Sequence, residues 1–115
     1  MDEHKQLIVE TKESIQEYVP KLIEACDTIG EMLQSNDAGW SDYMNQFFEG
    51  VNWTIDAISG IRDIDQNEFT NAPVGELLII TPHLAEALEI RDFVAAADIF
   101  QFEIKRILED LLNAA

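Results

Sequence analysis

A chain of 115 residues has room for one domain, because a single core of this size buries most of what the unfolded chain exposes. Its apolar fraction of 47% is that of a packed globular protein, so the formal charge of −16 sits on a folded surface and does not signal disorder. With 23 acidic residues against seven scattered basic ones, no basic stripe exists to neutralise phosphates, which excludes direct nucleic-acid binding and disfavours anionic membranes.

The first predicted helix spans about Glu3 to Gln34, where Leu7, Ile8, Ile15, Val19, Leu22, Cys26, Ile29 and Leu33 recur at helical steps. Pro20 lies inside it, and because the apolar face keeps its phase across the proline the expectation is a kink, the alternative being a break into two helices. Ser35, Asn36, Asp37 and Gly39 form a loop. A second helix begins near Ser41 as N-cap and carries Tyr43, Met44, Phe47, Val51, Ile55, Ile58 and Ile61 towards the core. The polar stretch from Arg62 to Asn71 is the longest connection.

Thr70 or Asn71 is expected to cap a third helix from Pro73 to about Glu89, presenting Val74, Leu77, Leu78, Thr81, Leu84, Ala85 and Leu88 and kinked at Pro82. Asp92 caps a fourth, in which Phe93, Ala97, Phe100, Ile104, Ile107 and Leu111 alternate by four and three. The short link around Arg91 makes these two helices antiparallel neighbours. Four amphipathic helices and no strand pattern predict an all-α, antiparallel up-down four-helix bundle, residues 1–115 forming one domain.

The start of the chain lacks the apolar core of a signal peptide, and the apolar run Leu77 to Ile80 is far too short to span a bilayer, so a soluble, cytoplasmic protein is expected. Cys26 is the single cysteine and lies on the core face, which predicts a small buried hydrophobe. Neither His4 nor His83 has an acidic residue three positions before it, so the Glu-x-x-His pairs of di-iron bundles are missing. His83 and Glu86 share a face, but His83 beside Pro82 reads as a surface residue, and no metal or cofactor is expected. The acidic pairs Asp63/Asp65 and Glu109/Asp110 lack the ligand spacing of a calcium loop. Isolated glycines form no phosphate cradle, no nucleophile motif is present, and no catalytic residue is assigned.

Two patches depart from simple amphipathic patterning. On helix two, Gly50, Trp53, Ala57 and Gly60 make a second face turned away from Phe47, Val51 and Ile58; on helix four, Ile99 and Phe102 fall off the heptad beside Ala95. Either second-neighbour contacts of the bundle bury these patches or a partner or a second copy does. Exposed aromatic clusters mark interfaces, which makes Trp53, Gly50, Ala57, Ile99 and Phe102 the candidate partner-binding residues.

The stretch Ala87 to Glu103, with Ala87-Leu88-Glu89, the capping Asp92, Ala97-Asp98-Ile99 and Phe102-Glu103, resembles a helix-turn-helix segment of small uncharacterised helical proteins of bacterial motility (flagellar) gene neighbourhoods. That resemblance implies a bacterial origin and a binding or chaperone-like role near flagellar export, with no catalytic residues. The functional expectation is a non-enzymatic protein-binding module, an adaptor or chaperone-like bundle that buries a partner helix. An acidic inhibitory or immunity protein, mimicking nucleic acid or covering a basic site, is the alternative. An enzyme with an unrecognised carboxylate site is third.

Overall fold

The computed structural model describes residues 3–35, 37–70 and 72–114, and every regular element among them is helical. Helix α1 is Glu3–Gln34, α2 is Trp40–Ile64 and α3 is Val74–Glu89. Helix α4 is made of Phe93–Asp98, a π-helical stretch Ile99–Ile104 and Lys105–Asn113, continuous in one rod. The molecule measures 53 × 22 × 18 Å. Its long axis matches α1, whose 32 residues rise about 48 Å at the helical pitch.

Cross-helix contacts give the topology. Tyr18 meets Trp53 and Lys12 meets Glu68, so α1 and α2 are antiparallel; Asp27 meets Lys105, so α1 and α4 are antiparallel too. Trp40 packs on Phe93 and Phe47 on Phe100, a constant offset that makes α2 and α4 parallel across the bundle's diagonal. The result is an antiparallel up-down four-helix bundle in which α1 lies against α2 and α4, and α3 lies against α4. The backbones of α2 and α3 stay apart, leaving that seam the loosest of the four.

The core is a stripe from each helix. Ile8, Ile15, Val19, Leu22, Cys26, Ile29 and Leu33 are buried along α1, which runs through Pro20 unbroken. Leu7, expected on this stripe, is half exposed because Ile8 occupies the inward position seven residues before Ile15. From α2 come Met44, Phe47, Val51, Ile58 and Ile61, with Ile55 partly buried and Tyr43 turned out to solvent. Thr54 is buried as well, its hydroxyl donating to the Gly50 carbonyl at 2.9 Å.

Helix α3 continues through Pro82 but buries only Leu77, Leu84 and Ala87 fully. Leu78, Thr81 and Ala85 were expected inside and are exposed, because α3 lies close to one neighbour only and needs a narrower strip. Helix α4 buries Ala96, Ala97, Phe100, Ile104, Ile107, Leu108 and Leu111, the expected heptad with Ala96 and Leu108 added and Phe93 only half-buried. Its π stretch was not anticipated; there the Lys105 amide donates five residues back to Phe100.

The helix ends differ from expectation in two places. Helix α2 starts at Trp40 after Gly39, and Ser41 sits inside the first turn; the loop before it is held by Asp37, whose carboxylate accepts from the Gly39 amide at 2.8 Å. Pro73 is the residue before α3 and provides no side-chain cap, Thr70 is in the preceding turn, and Asn71 lies outside the described residues. Helix α2 also extends to Ile64, and the connection that follows is not wholly polar. Phe69 is buried in it at a positive φ of 54°, pinning the connection to the core.

The α3 to α4 turn is as short as expected. Arg91 has a φ of 58°; its amide donates to Leu88 and the Asp92 amide to Ala87 at 2.8 Å, a Schellman closure of α3. The Asp92 side chain then accepts from the Ala95 amide at 3.1 Å and starts α4. One residue closes a helix and opens the next.

Phe100 is fully buried, with its ring 5.5 Å from that of Phe47 and 6.1 Å from that of Phe48. Phe100→Ala should destabilise the fold by about 3–5 kcal/mol, measured by urea denaturation; a loss below about 1 kcal/mol would place this ring outside the core. Arg91→Gly should act in the opposite sense, stabilising by up to about 1 kcal/mol, since glycine adopts the left-handed conformation without a Cβ clash. Unchanged or lowered thermal stability would contradict the strain assigned to Arg91.

Candidate interaction surface

The five candidate residues separate on folding. Trp53 is 44% exposed on the α1/α2 seam, its ring standing edge-on against Tyr18 at 5.4 Å over a shallow hollow of about 450 Å³ that also touches Ser14, Glu17 and Lys21. Gly50 is buried under Tyr18, where a Cβ would collide with the tyrosine hydroxyl, so its role is to let α1 approach α2. Ala57 is half-buried against the core. Only Trp53 of that face is left for a partner at substantial area.

Ile99 and Phe102 are also parted. Ile99 is half-buried and faces α3, whereas Phe102 is 67% exposed on α4. Because the α1/α2 and α3/α4 seams are opposite each other in the bundle, Trp53 and Ile99 belong to different surfaces.

Besides Phe102, sequence patterning missed four large apolar side chains left at the surface of the α3/α4 half of the bundle. Leu78, Ile79, Ile90, Val94 and Phe102, all on the α3 to α4 hairpin, are 65–71% exposed. The signal was the composition of α3, where Leu77 to Ile80 are apolar in succession: a run of four on a helix cannot all face one core. Two depressions border this hairpin. One, of about 510 Å³, is the groove between α3 and α4, with Ile79, Ile90 and Ile99 on its walls. The other, of about 400 Å³, is the loose α2/α3 seam, lined by Phe48, Val51, Ile55, Leu77 and Pro82 and floored by Ile104.

Two ion pairs tie the bundle together, Lys12 to Glu68 at 3.0 Å and Lys105 to Asp27 at 2.8 Å. The Asp27 hydrogen bond raises the Lys105 pKa. Both are partly exposed, so solvent screening leaves pairs of this kind little net stabilisation. Among the described residues no group of three or more His, Cys, Asp or Glu is placed to hold a metal ion, and His83 is exposed on the α3/α4 groove. No described helix is long and apolar enough to cross a membrane.

This bundle, over residues 10–114, matches the family model described as a domain of unknown function, DUF8042. The chain belongs to the DUF8042 family. No curated protein and no solved structure is significantly similar to it. The DUF8042 match takes in α2, α3 and α4 and α1 from residue 10 onward, so the exposed apolar residues of the second hairpin lie within the family's domain.

Cys26 is fully buried in α1, and its thiol pKa is pushed up from 9.0 to about 12, first by loss of hydration and then by the negative charge of Asp27, against the opposing pull of Lys105. The folded thiol therefore keeps a proton that the unfolded chain releases above pH 9.0, and this contribution to stability is present below that value and lost as pH climbs towards about 12. The urea midpoint should fall across this alkaline range, and less steeply in Cys26→Ala. Equal pH slopes in the two proteins would remove the thiol as the cause.

Proposed function

We propose that this DUF8042 chain is a non-enzymatic, cytoplasmic protein-binding module, an adaptor or chaperone-like bundle that docks a partner on the α3 to α4 hairpin. The observation that carries the reading is that five large apolar side chains of this hairpin are left 65–71% exposed, two of them, Ile79 and Ile90, in the α3/α4 groove. Each leaves ungained most of the burial free energy, about 1.5–3 kcal/mol when complete, and exposed apolar side chains along a groove are the usual mark of an interface. The resemblance of Ala87 to Glu103 to motility-associated helical proteins supports the same class of role.

A second reading, an acidic inhibitor that covers a basic active site, draws on the formal charge of −16. It predicts binding governed by the charged surface and indifferent to the exposed aliphatic residues.

Site-specific photo-crosslinking in the host separates the readings. A photoreactive residue at Ile79 or Phe102 should give a discrete protein adduct, identifiable by mass spectrometry, that is absent when the same group replaces the exposed Ser59 of α2. Adducts no more frequent at Ile79 and Phe102 than at Ser59 would overturn the hairpin as a binding surface.

A further inference from the structure

The α3/α4 groove is lined by one strip from each helix. Ile79, His83, Glu86 and Ile90 follow at steps of four, three and four along α3, while Asp92, Ala95, Ile99 and Glu103 follow at three, four and four along α4. Both walls therefore carry aliphatic side chains and carboxylates, with His83 beside Glu86 on α3, and the alanine on α4 keeps the space between them open. From Ile79 to Ile90 the α3 strip is about 16 Å long, which accommodates about three turns of a helix laid along it.

Charge selects the occupant. Between residues 74 and 104 there are six carboxylates, Glu76, Glu86, Glu89, Asp92, Asp98 and Glu103, against Arg91 and one histidine, His83, and neither lysine nor arginine lines the groove. A second copy of the chain would bring the same acidic walls and another −16 charges, a juxtaposition that costs free energy at an interface. Anionic lipid and nucleic acid are repelled for the same reason. The α2/α3 seam, by contrast, has no charged residue in its lining and so no preference of this kind.

We infer that the α3/α4 groove docks an amphipathic helix whose apolar stripe is bordered by lysine or arginine. The inference rests on the protein-binding reading and names its partner class: the stripe sits between Ile79, Ile90 and Ile99, and the flanking cations reach Glu86, Asp92 and Glu103.

Fluorescence anisotropy with three labelled 18-residue peptides tests this. All share a leucine stripe at helical spacing, and the remaining positions are mostly lysine, glutamine or glutamate. The lysine peptide should bind at least about tenfold tighter than the glutamine peptide at low salt, with the difference shrinking as salt rises, and the glutamate peptide weakest. A scrambled lysine peptide without the stripe should bind at least about tenfold more weakly, as should the ordered one to the Ile79→Ser/Ile90→Ser variant. Trp53→Ser, on the opposite seam, should leave the affinity unchanged.

Both isoleucines are exposed, so circular dichroism should show the variant folded. Glu86→Gln with Glu103→Gln offers an independent arm, weakening the lysine peptide and not the glutamine one. Equal binding of the lysine and glutamine peptides, equal binding of the scrambled peptide, or affinity unmoved by the isoleucine substitutions would overturn the inference. So would a dimer in sedimentation that dissociates on Ile79→Ser, which would make a second copy the occupant. Any of these alongside positive crosslinks at Ile79 would reject the basic helix alone, while absent crosslinks would reject the protein-binding reading itself.

Discussion

The bundle depends on the burial of Phe100. Helices α2 and α4 are diagonal neighbours, and their backbones remain apart; the rings of Phe47, Phe48 and Phe100 fill the space between them. With α2 and α3 loosely apposed, this aromatic cluster and the Trp40–Phe93 contact join α2 to the second hairpin, while α1 packs directly on α4. The π stretch of α4 begins at Ile99, beside the ring, and an extra residue in the turn changes which way successive side chains point. On the other side, Gln101 lies over Gly30 of α1, and Ala96 and Ala97, both fully buried, keep α4 close to α1. Small residues and one large ring set the spacing of three helices.

The two hairpins have divided the work. Helix α1 is long, lies against both α2 and α4, and buries a regular stripe from Ile8 to Leu33. Helix α3 is half its length and lies closely against α4 alone, yet it carries as many large aliphatic residues as a helix packed on several sides would need. The surplus faces solvent. The turn joining α3 to α4 leaves little freedom in how that surplus is presented, because Asp92 closes one helix by its amide and opens the other by its carboxylate. The groove between the two is therefore built on two helices fixed by one shared turn.

Electrostatics act on the fold and on the surface in different ways. The few cations are partly used for cohesion: Lys12 and Lys105 bridge from one element to another, and Arg106 pairs along α4 with Asp110. What remains is a surface of carboxylates whose mutual repulsion the core must outweigh. An apolar hairpin surface is tolerable in solution under such a charge.

Much of the architecture was legible in the residues. Helical periodicity placed α1 within its observed bounds, put Phe47 and Phe100 in the core, and made Asp92 a cap, since each of these follows from local geometry and chain connectivity. Which side of α3 would be buried was not decided locally: Leu78 looked as eligible as Leu77, and only the position of α4 on one side and the open α2/α3 seam on the other chose between them. Phe69 entered the core from a connection that reads as polar, by adopting a left-handed backbone that no periodicity announces. Gly50 and Trp53 shared a helical face in the sequence, yet packing put one beneath Tyr18 and the other at the surface. Periodicity is a property of one helix and so was fixed by the chain's own order, whereas exposure is a property of its neighbours, and those are determined only once four helices compete to bury their surfaces together.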